Sequence, residues 1–193
     1  MLKVRVFLLT VSTVFVFLGC FTKKTWLSDE IKSINPYKVG QELTFISSCG
    51  IVNTLRIKKV EDGRFPDGLG VFLNERLIVN AFRESKTIRG GTEETILTAI
   101  ARTNKYEEKV DFSLSLRDTY LKMKFVTFSD YQNLAVTNLT TDYYNYNDVV
   151  HFKYYPNRKI SANEIVEFFW SKTYGYVRLI QKDRIVWDLK SIE

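Results

Sequence analysis

The stretch KVDFSLSLRDTYLKMKFVTF, residues 109–128, has the period of two antiparallel β-strands. Apolar residues alternate with polar ones in its first half, at Val110, Phe112, Leu114 and Leu116. They do so again after Arg117 and Asp118, at Leu121, Met123 and Phe125. Successive side chains of a strand point to opposite faces, so this period places the apolar residues on one face. The stretch therefore predicts two half-buried strands, at 109–116 and 120–128, joined by a turn.

Similar short apolar segments, separated by Gly, Pro, Asn and Asp, recur along the rest of the chain. They predict strands at 42–48, 52–60, 71–73, 77–81, 95–103, 149–155, 165–171, 174–181 and 185–189. Residues 61–70, rich in Gly, Pro and Asp, are predicted to form a loop, and residues 129–148 to be irregular. Together these segments predict a predominantly all-β fold, a single antiparallel meander forming a curved sheet or incomplete barrel.

A short helix or turn is predicted before the first strand. Leu27, Ile31 and Ile34 have the spacing of one helical face, and Ser28 precedes them as a candidate N-cap. Asn35 and Pro36 then end the helix, because a residue before proline disfavours helical backbone.

Residues 1–20, MLKVRVFLLTVSTVFVFLGC, have the pattern of an export signal. Lys3 and Arg5 precede a mostly apolar run at 6–18 that is too short to span a bilayer comfortably as a helix. The run ends in FLGC, which resembles a bacterial lipobox with Phe17 in place of the usual leucine and Leu18 in place of the usual small residue. The resemblance implies that the Cys20 thiol is lipidated and that the chain is cut before it. The alternatives are an uncleaved N-terminal anchor and a signal cut elsewhere.

These features divide the chain into a signal peptide at 1–19, a lipidated tether and short helix at 20–36, and a single β-rich domain at 37–193. Phe21 is not the aspartate associated with inner-membrane retention, so the lipobox resemblance implies the outer membrane, facing the periplasm. The predicted partners are the membrane, through the N-terminal lipid, and an apolar ligand or envelope protein. Nucleic acid is not expected, because the charge of +6 is scattered and the protein is exported.

Both ends of the predicted domain resemble a group of small, uncharacterised Bacteroidetes lipoproteins. The closing pattern is FFWSKTYGYVRLIQKDRIVWDL at 168–189, and the opening one is PYKVG at 36–40 followed by LTF at 43–45. The resemblance implies an antiparallel sheet and no known activity. A broader analogy is to periplasmic lipoprotein carriers, whose curved sheet surrounds an apolar cavity.

Aromatic residues in the last third of the chain are the candidate ligand or partner surface. They are Tyr143, Tyr144, Tyr146, Phe168, Trp170, Tyr174 and Tyr176. A strand that is apolar on both faces is either covered twice or exposes a patch for a partner, and the last hairpin has this composition. The alternative is core packing, with Phe169 on one face of the strand and Phe168 and Trp170 on the other.

Catalytic and metal chemistry has weak support in the sequence. Cys49 and His151, the single histidine, are the residue types of a nucleophile and its base. No cysteine-hydrolase signature surrounds Cys49, and a cysteine at a strand end is more often a small buried hydrophobic side chain. One histidine and one free cysteine are too few for zinc, and Asp62, Asp67 and Asp142 lack the spacing of a calcium loop. We therefore predict a non-enzymatic envelope lipoprotein without metal or cofactor, with a hydrolase using Cys49 and His151 as the alternative.

Overall fold

Antiparallel strands dominate the computed structural model, which describes residues 27–66, 73–83, 92–102, 107–116, 119–153 and 160–193. The two helices in this part are α1 (Asp29–Lys32) and α2 (Phe128–Gln132). The strands are β1 (Glu42–Ser47), β2 (Val52–Pro66), β3 (Leu73–Arg83), β4 (Thr92–Arg102), β5 (Glu107–Leu116), β6 (Thr119–Thr127), β7 (Val136–Thr140), β8 (Asn145–Lys153), β9 (Ile165–Ser171), β10 (Gly175–Gln181) and β11 (Val186–Ile192). The predicted signal segment, Cys20, Asp67 and the turn at 117–118 lie outside the described residues.

The predicted all-β class and single antiparallel sheet are confirmed. The predicted short helix is present as α1, where the Ser28 hydroxyl accepts a hydrogen bond from the Ile31 amide at 3.3 Å. Strands β5 and β6 cover the two segments predicted from the alternating stretch at 109–128.

Two sequence predictions are wrong in the described residues. Residues 61–66, predicted as a loop, continue β2, and residue 73 and residues 77–81, predicted to lie in two separate short strands, belong to the single strand β3. Asp62 pairs with Leu77 and Gly63 with Arg76 across this ladder. Pairing with a neighbouring strand thus overrides the turn preference of Gly and Asp.

Residues 129–148, predicted to be irregular, contain most of α2, all of β7 and the first residues of β8. The Thr127 hydroxyl caps α2 by accepting from the Asp130 amide at 3.0 Å. Strand β7 gives almost no alternation signal because, apart from partly buried Leu139, its side chains are exposed. A helix of five residues is likewise too short to show a period.

The strands form one sheet in the order β6-β5-β4-β3-β2-β1-β11-β10-β9-β8-β7. Strand β1 joins the two halves, because Leu43 faces Leu55 of β2 on one side and Ile192 of β11 on the other. Register shifts occur in several ladders, including those at Ile57/Lys59 and Phe112/Leu114. Bulges of this kind bend and twist a strand, which allows a sheet to curl.

The curl brings β6 against the beginning of β9. Tyr120 forms a parallel bridge with Glu164, and the Gln181 amide donates to the Thr119 hydroxyl. Strand β6 thus contacts β9. It does not pair with β7, the strand at the other edge, so the sheet remains open. The two halves of the sheet therefore face each other across a shared interior.

Aromatic side chains fill that interior around Phe112. Its ring centroid lies 4.9 Å from that of Trp170, 5.0 Å from Phe152 and 5.3 Å from Phe168. The Tyr176 hydroxyl crosses the interior to donate to the Ile96 carbonyl at 3.1 Å. Such large rings contribute strongly to the free energy of folding through the apolar area that they bury.

The segment around α1 covers one end of the curled sheet. Leu27, Ile31 and Ile34 are buried. The buried Glu75 carboxylate accepts from the Leu27 amide at 2.6 Å and from the Lys32 ammonium at 2.9 Å. The positive charge of Lys32 thus compensates the negative charge of Glu75. These contacts place Leu27 and α1 at one end of the sheet. Strands β3 and β5 begin at this end, and β9 ends there.

Candidate binding surface

Four tyrosines from two neighbouring turns form what we call the tyrosine surface: Tyr143, Tyr144, Tyr146 and Tyr174. The Tyr144 and Tyr174 rings are nearly parallel, at 21° and 6.4 Å between centroids, and Tyr146 meets Tyr174 edge-on at 5.6 Å. Tyr143, Tyr144 and Tyr174 expose 37%, 41% and 42% of their surface, whereas Tyr146 exposes 3%. Two accessible rings, Tyr144 and Tyr174, thus pack against the buried Tyr146 on the outside of the sheet, and the exposed Tyr143 precedes Tyr144 in the chain.

Thr141 holds the tip of the β7–β8 hairpin, which carries two of these tyrosines. Its hydroxyl accepts from the Tyr143 amide at 3.2 Å and from the Tyr144 amide at 3.1 Å. Its own amide donates to the Tyr144 carbonyl at 2.9 Å. Threonine hydroxyls commonly stabilise turns through such local hydrogen bonds.

Asp148 holds the β9–β10 turn, which carries Tyr174. Its carboxylate accepts from the Ser171 hydroxyl at 2.7 Å, the Thr173 amide at 2.8 Å and the Thr173 hydroxyl at 2.6 Å. Burial raises the pKa of Asp148, but the hydrogen bonds from Thr173 and Ser171 outweigh it, so the pKa lies below its ordinary value. The Ser171 hydroxyl also accepts from the Tyr174 amide at 3.0 Å.

Gly175 connects this turn to the interior. Its φ of +78° is in the left-handed region, and a Cβ built on it would lie 2.0 Å from the Tyr37 hydroxyl oxygen. That oxygen accepts from the Tyr176 amide at 2.9 Å, and the Tyr37 ring packs edge-on against Trp170. Only glycine allows both the backbone conformation and the close approach of Tyr37.

A groove of about 530 Å³ opens beside the tyrosine surface. It is lined by Asn138, Thr140, Asn145, Tyr146, Asn147, Thr173 and Tyr174. None of these side chains is charged, and the nearby Arg178 is held by two hydrogen bonds to Asp188, at 2.6 and 2.9 Å. The Tyr146 hydroxyl is buried without a hydrogen-bond partner among the described residues, and its burial raises its pKa above the ordinary value.

Three members of the predicted ligand surface lie instead in the interior: Phe168, Trp170 and Tyr176, each fully buried. Their strands face β4 and β5 across the curled sheet, so the rings pack on Phe112. Their placement in the predicted surface is therefore wrong, and the alternative of core packing applies to them.

The structure does not bring Cys49 and His151 together. Cys49 is exposed in the β1–β2 turn, so its predicted burial as a small hydrophobic side chain is wrong. His151 lies on β8, where its ring stacks on Phe169 at 4.2 Å and its Nε2 hydrogen-bonds the Glu167 carboxylate at 2.8 Å. Strands β11, β10 and β9 lie between β1 and β8, and four steps of about 4.8 Å make roughly 19 Å along the sheet.

No group of three or more His, Cys, Asp and Glu side chains within the described residues is placed to hold a metal ion. Asp62 pairs with the Lys32 ammonium at 3.0 Å, and Asp142 is exposed at the β7–β8 tip. In the same part of the chain no helix has the length and apolar character required to cross a bilayer.

Sequence reasoning missed the asparagines and threonines of the groove. Asn138 and Thr140, and likewise Asn145 and Asn147, lie two residues apart on their strands. Residues with that spacing share a strand face, so this was a signal for a polar surface. No protein-family model, curated protein or solved structure matches this chain.

Proposed function

We propose that this chain is a lipid-anchored, non-enzymatic protein of the cell envelope that binds an envelope component through its tyrosine surface. The anchor is the Cys20 thiol, and the location is the outer membrane, on its periplasmic face. The component is held on the outside of the curled sheet and not within it. The observation that carries the proposal is the packing of two exposed tyrosines, Tyr144 and Tyr174, against the buried Tyr146, with the exposed Tyr143 next to Tyr144 in the chain.

The packing of the interior favours an external site. Carriers of apolar ligands need a cavity, but the rings around Phe112 interdigitate at centroid distances of 4.9 to 5.3 Å. The groove at the tyrosine surface lies outside this core and is lined by polar and aromatic groups. Of the two occupants expected from the sequence, an apolar ligand inside the sheet therefore has the weaker support.

Tyrosine is suited to an external binding role. Its ring offers a large contact area at low cost in side-chain entropy, and its hydroxyl can hydrogen-bond at the edge. Tyrosines are correspondingly enriched in protein interfaces. Tyr144 and Tyr174 are held by their turns, which reduces the entropy lost when a partner binds.

The anchor would keep this surface close to the membrane. Six residues lie between Cys20 and Leu27, and Glu75 fixes Leu27 at one end of the sheet. The seven Cα–Cα steps span at most about 25 Å when fully extended. The tyrosine surface lies at the same end, since β9 finishes and β10 begins there.

Purification from intact membranes tests the proposal. The wild-type protein and a Tyr144→Ala/Tyr174→Ala variant are isolated in detergent, and the co-purifying components are identified by mass spectrometry. Ile51→Ala, which alters an exposed apolar side chain in the β1–β2 turn, is the matched control. We expect a component that is retained by the wild type and the control and lost from the double variant. Equal recovery with all three proteins would contradict the proposal.

A further inference from the structure

The lining of the groove has the chemistry of a site for an uncharged, hydroxyl-rich ligand. Five of its seven lining residues are asparagines or threonines, and the other two are tyrosines. An asparagine amide offers two donors and an acceptor, and a threonine hydroxyl offers one donor and an acceptor. The volume of about 530 Å³ falls within the range of about 300–1,000 Å³ that is usual for small-molecule sites.

The polar groups of the groove are available to a ligand. The side-chain amides of Asn138, Asn145 and Asn147 are exposed and make no hydrogen bond within the described residues. Tyr146 also lines the groove, but its hydroxyl is buried, so the accessible polar groups are those of the three asparagines.

The aromatic groups supply a complementary apolar contact. Tyr174 exposes 42% of its surface and stands nearly perpendicular to Tyr146, at 73° between ring planes. An aromatic face carries partial negative charge and attracts polarised C–H groups. A pyranose ring presents C–H groups on its faces and hydroxyls around its edge. The asparagine amides of this groove therefore match the hydroxyls of a sugar, and the exposed face of Tyr174 matches its C–H groups.

Other ligand classes fit less well. A phosphate or carboxylate ligand would find no cation among the residues that line the groove, and the nearby Arg178 is committed to Asp188. An acyl chain would desolvate the asparagine amides without hydrogen-bonding them, which disfavours binding.

We propose that this groove binds an uncharged saccharide chain, with Tyr174 stacking on a sugar ring and Asn138, Asn145 and Asn147 bonding its hydroxyls. The proposal deepens and rests on the function proposed above, since it names the class of envelope component. The groove is formed in advance of binding, because Asp148 fixes the turn that carries Tyr174.

Calorimetric titration of the full protein tests the proposal. The protein is kept in a detergent without a sugar headgroup, which would compete for the groove. The probes are chitotetraose, maltohexaose, cellohexaose and the total neutral oligosaccharides released from the envelope of the source cells. We expect saturable binding of at least one probe. Tyr174→Ala weakens it about tenfold, and Asn145→Ala about fivefold, from the loss of a ring contact and of one hydrogen bond.

Two further variants test whether the Tyr174 ring stacks on the sugar and whether the loss of binding is confined to residues of the groove. Tyr174→Phe keeps the ring and retains binding close to that of the wild type. Ile51→Ala alters an exposed apolar side chain that does not line the groove, and it leaves binding unchanged. Thermal unfolding of each variant verifies that it is folded.

Three results would overturn the saccharide proposal. One is that no probe binds, and another is that Tyr174→Ala and Asn145→Ala bind as tightly as the wild type. The third is equal weakening by Ile51→Ala, which would show that the loss of binding is not specific to the groove. If no saccharide binds while the Tyr144→Ala/Tyr174→Ala variant still loses its co-purifying component, the proposed envelope-binding function stands and only the ligand class fails.

Discussion

Replacing Gly175 by alanine tests the contact that joins the tyrosine surface to the interior. The substitution forces an alanine into φ +78° and places its Cβ 2.0 Å from the Tyr37 hydroxyl and 2.3 Å from its Cζ. Left-handed backbone costs a non-glycine residue roughly 1–2 kcal/mol. Overpacking against the ring adds about 1–3 kcal/mol. The free energy of unfolding should therefore fall by about 2–5 kcal/mol.

Gly50→Ala is the matched control for this experiment. Gly50 has the same φ of +78°, but a Cβ built on it meets no atom within 4 Å. Only the backbone cost of about 1–2 kcal/mol then applies. The assay is urea unfolding of both variants and the wild type, followed by tryptophan fluorescence. Equal losses in the two variants would refute the close packing of Tyr37 on Gly175.

Three further predictions concern the anchor, the core and the turn. Cys20→Ala should move the protein from the membrane to the soluble fraction without changing its thermal unfolding; continued sedimentation with membranes would contradict lipidation. Phe112→Ala should lower the free energy of unfolding by about 3–5 kcal/mol, measured in urea, because it opens a cavity amid packed rings; a loss below about 1 kcal/mol would contradict that packing. Asp148→Asn should be less stable than the wild type at neutral pH. Because the folded pKa of Asp148 lies below 3.8, its contribution is complete above that pH and is lost as the pH falls through the folded pKa. The difference between the two proteins should therefore shrink in acid, and a constant difference down to pH ~2 would contradict the assigned hydrogen bonds.

Local patterns in the sequence predicted much of the fold. Strand alternation at 109–128 predicted β5 and β6, and the spacing of Leu27 and Ile31 predicted α1. These features depend on neighbouring residues, whose side chains share a face of one strand or helix. Strand β7 escaped prediction because nearly all of its side chains face solvent, which leaves no apolar period.

The division of aromatic residues between core and surface depends on contacts distant in sequence. Trp170 and Tyr174 lie four residues apart, yet Trp170 is fully buried and Tyr174 is 42% exposed. Trp170 is buried because the sheet curls and brings Phe112 against it. Tyr174 is exposed because the turn anchored by Asp148 carries it to the outside. Neither contact can be read from the composition of the segment.

The burial of Cys49 was mispredicted for a related reason. Its neighbours Ser48 and Gly50 form a turn beyond the end of β1, where Gly50 takes a positive φ. Two more residues of strand would have placed the Cys49 side chain on the same face as the buried Phe45 and Ser47. A boundary shift of two residues thus changes the environment of a side chain near the end of a strand.

Site-specific photo-crosslinking in intact cells tests most directly whether the tyrosine surface is the binding surface. A benzophenone amino acid is introduced in place of Tyr144 or, as the control, in place of Ile51, both of which are exposed. Benzophenone inserts into C–H bonds of proteins, lipids and sugars, so the class of partner does not limit detection. We expect irradiation to give an adduct of higher mass from position 144 and none from position 51. Adducts from position 51 alone, or from neither position, would contradict binding at the tyrosine surface.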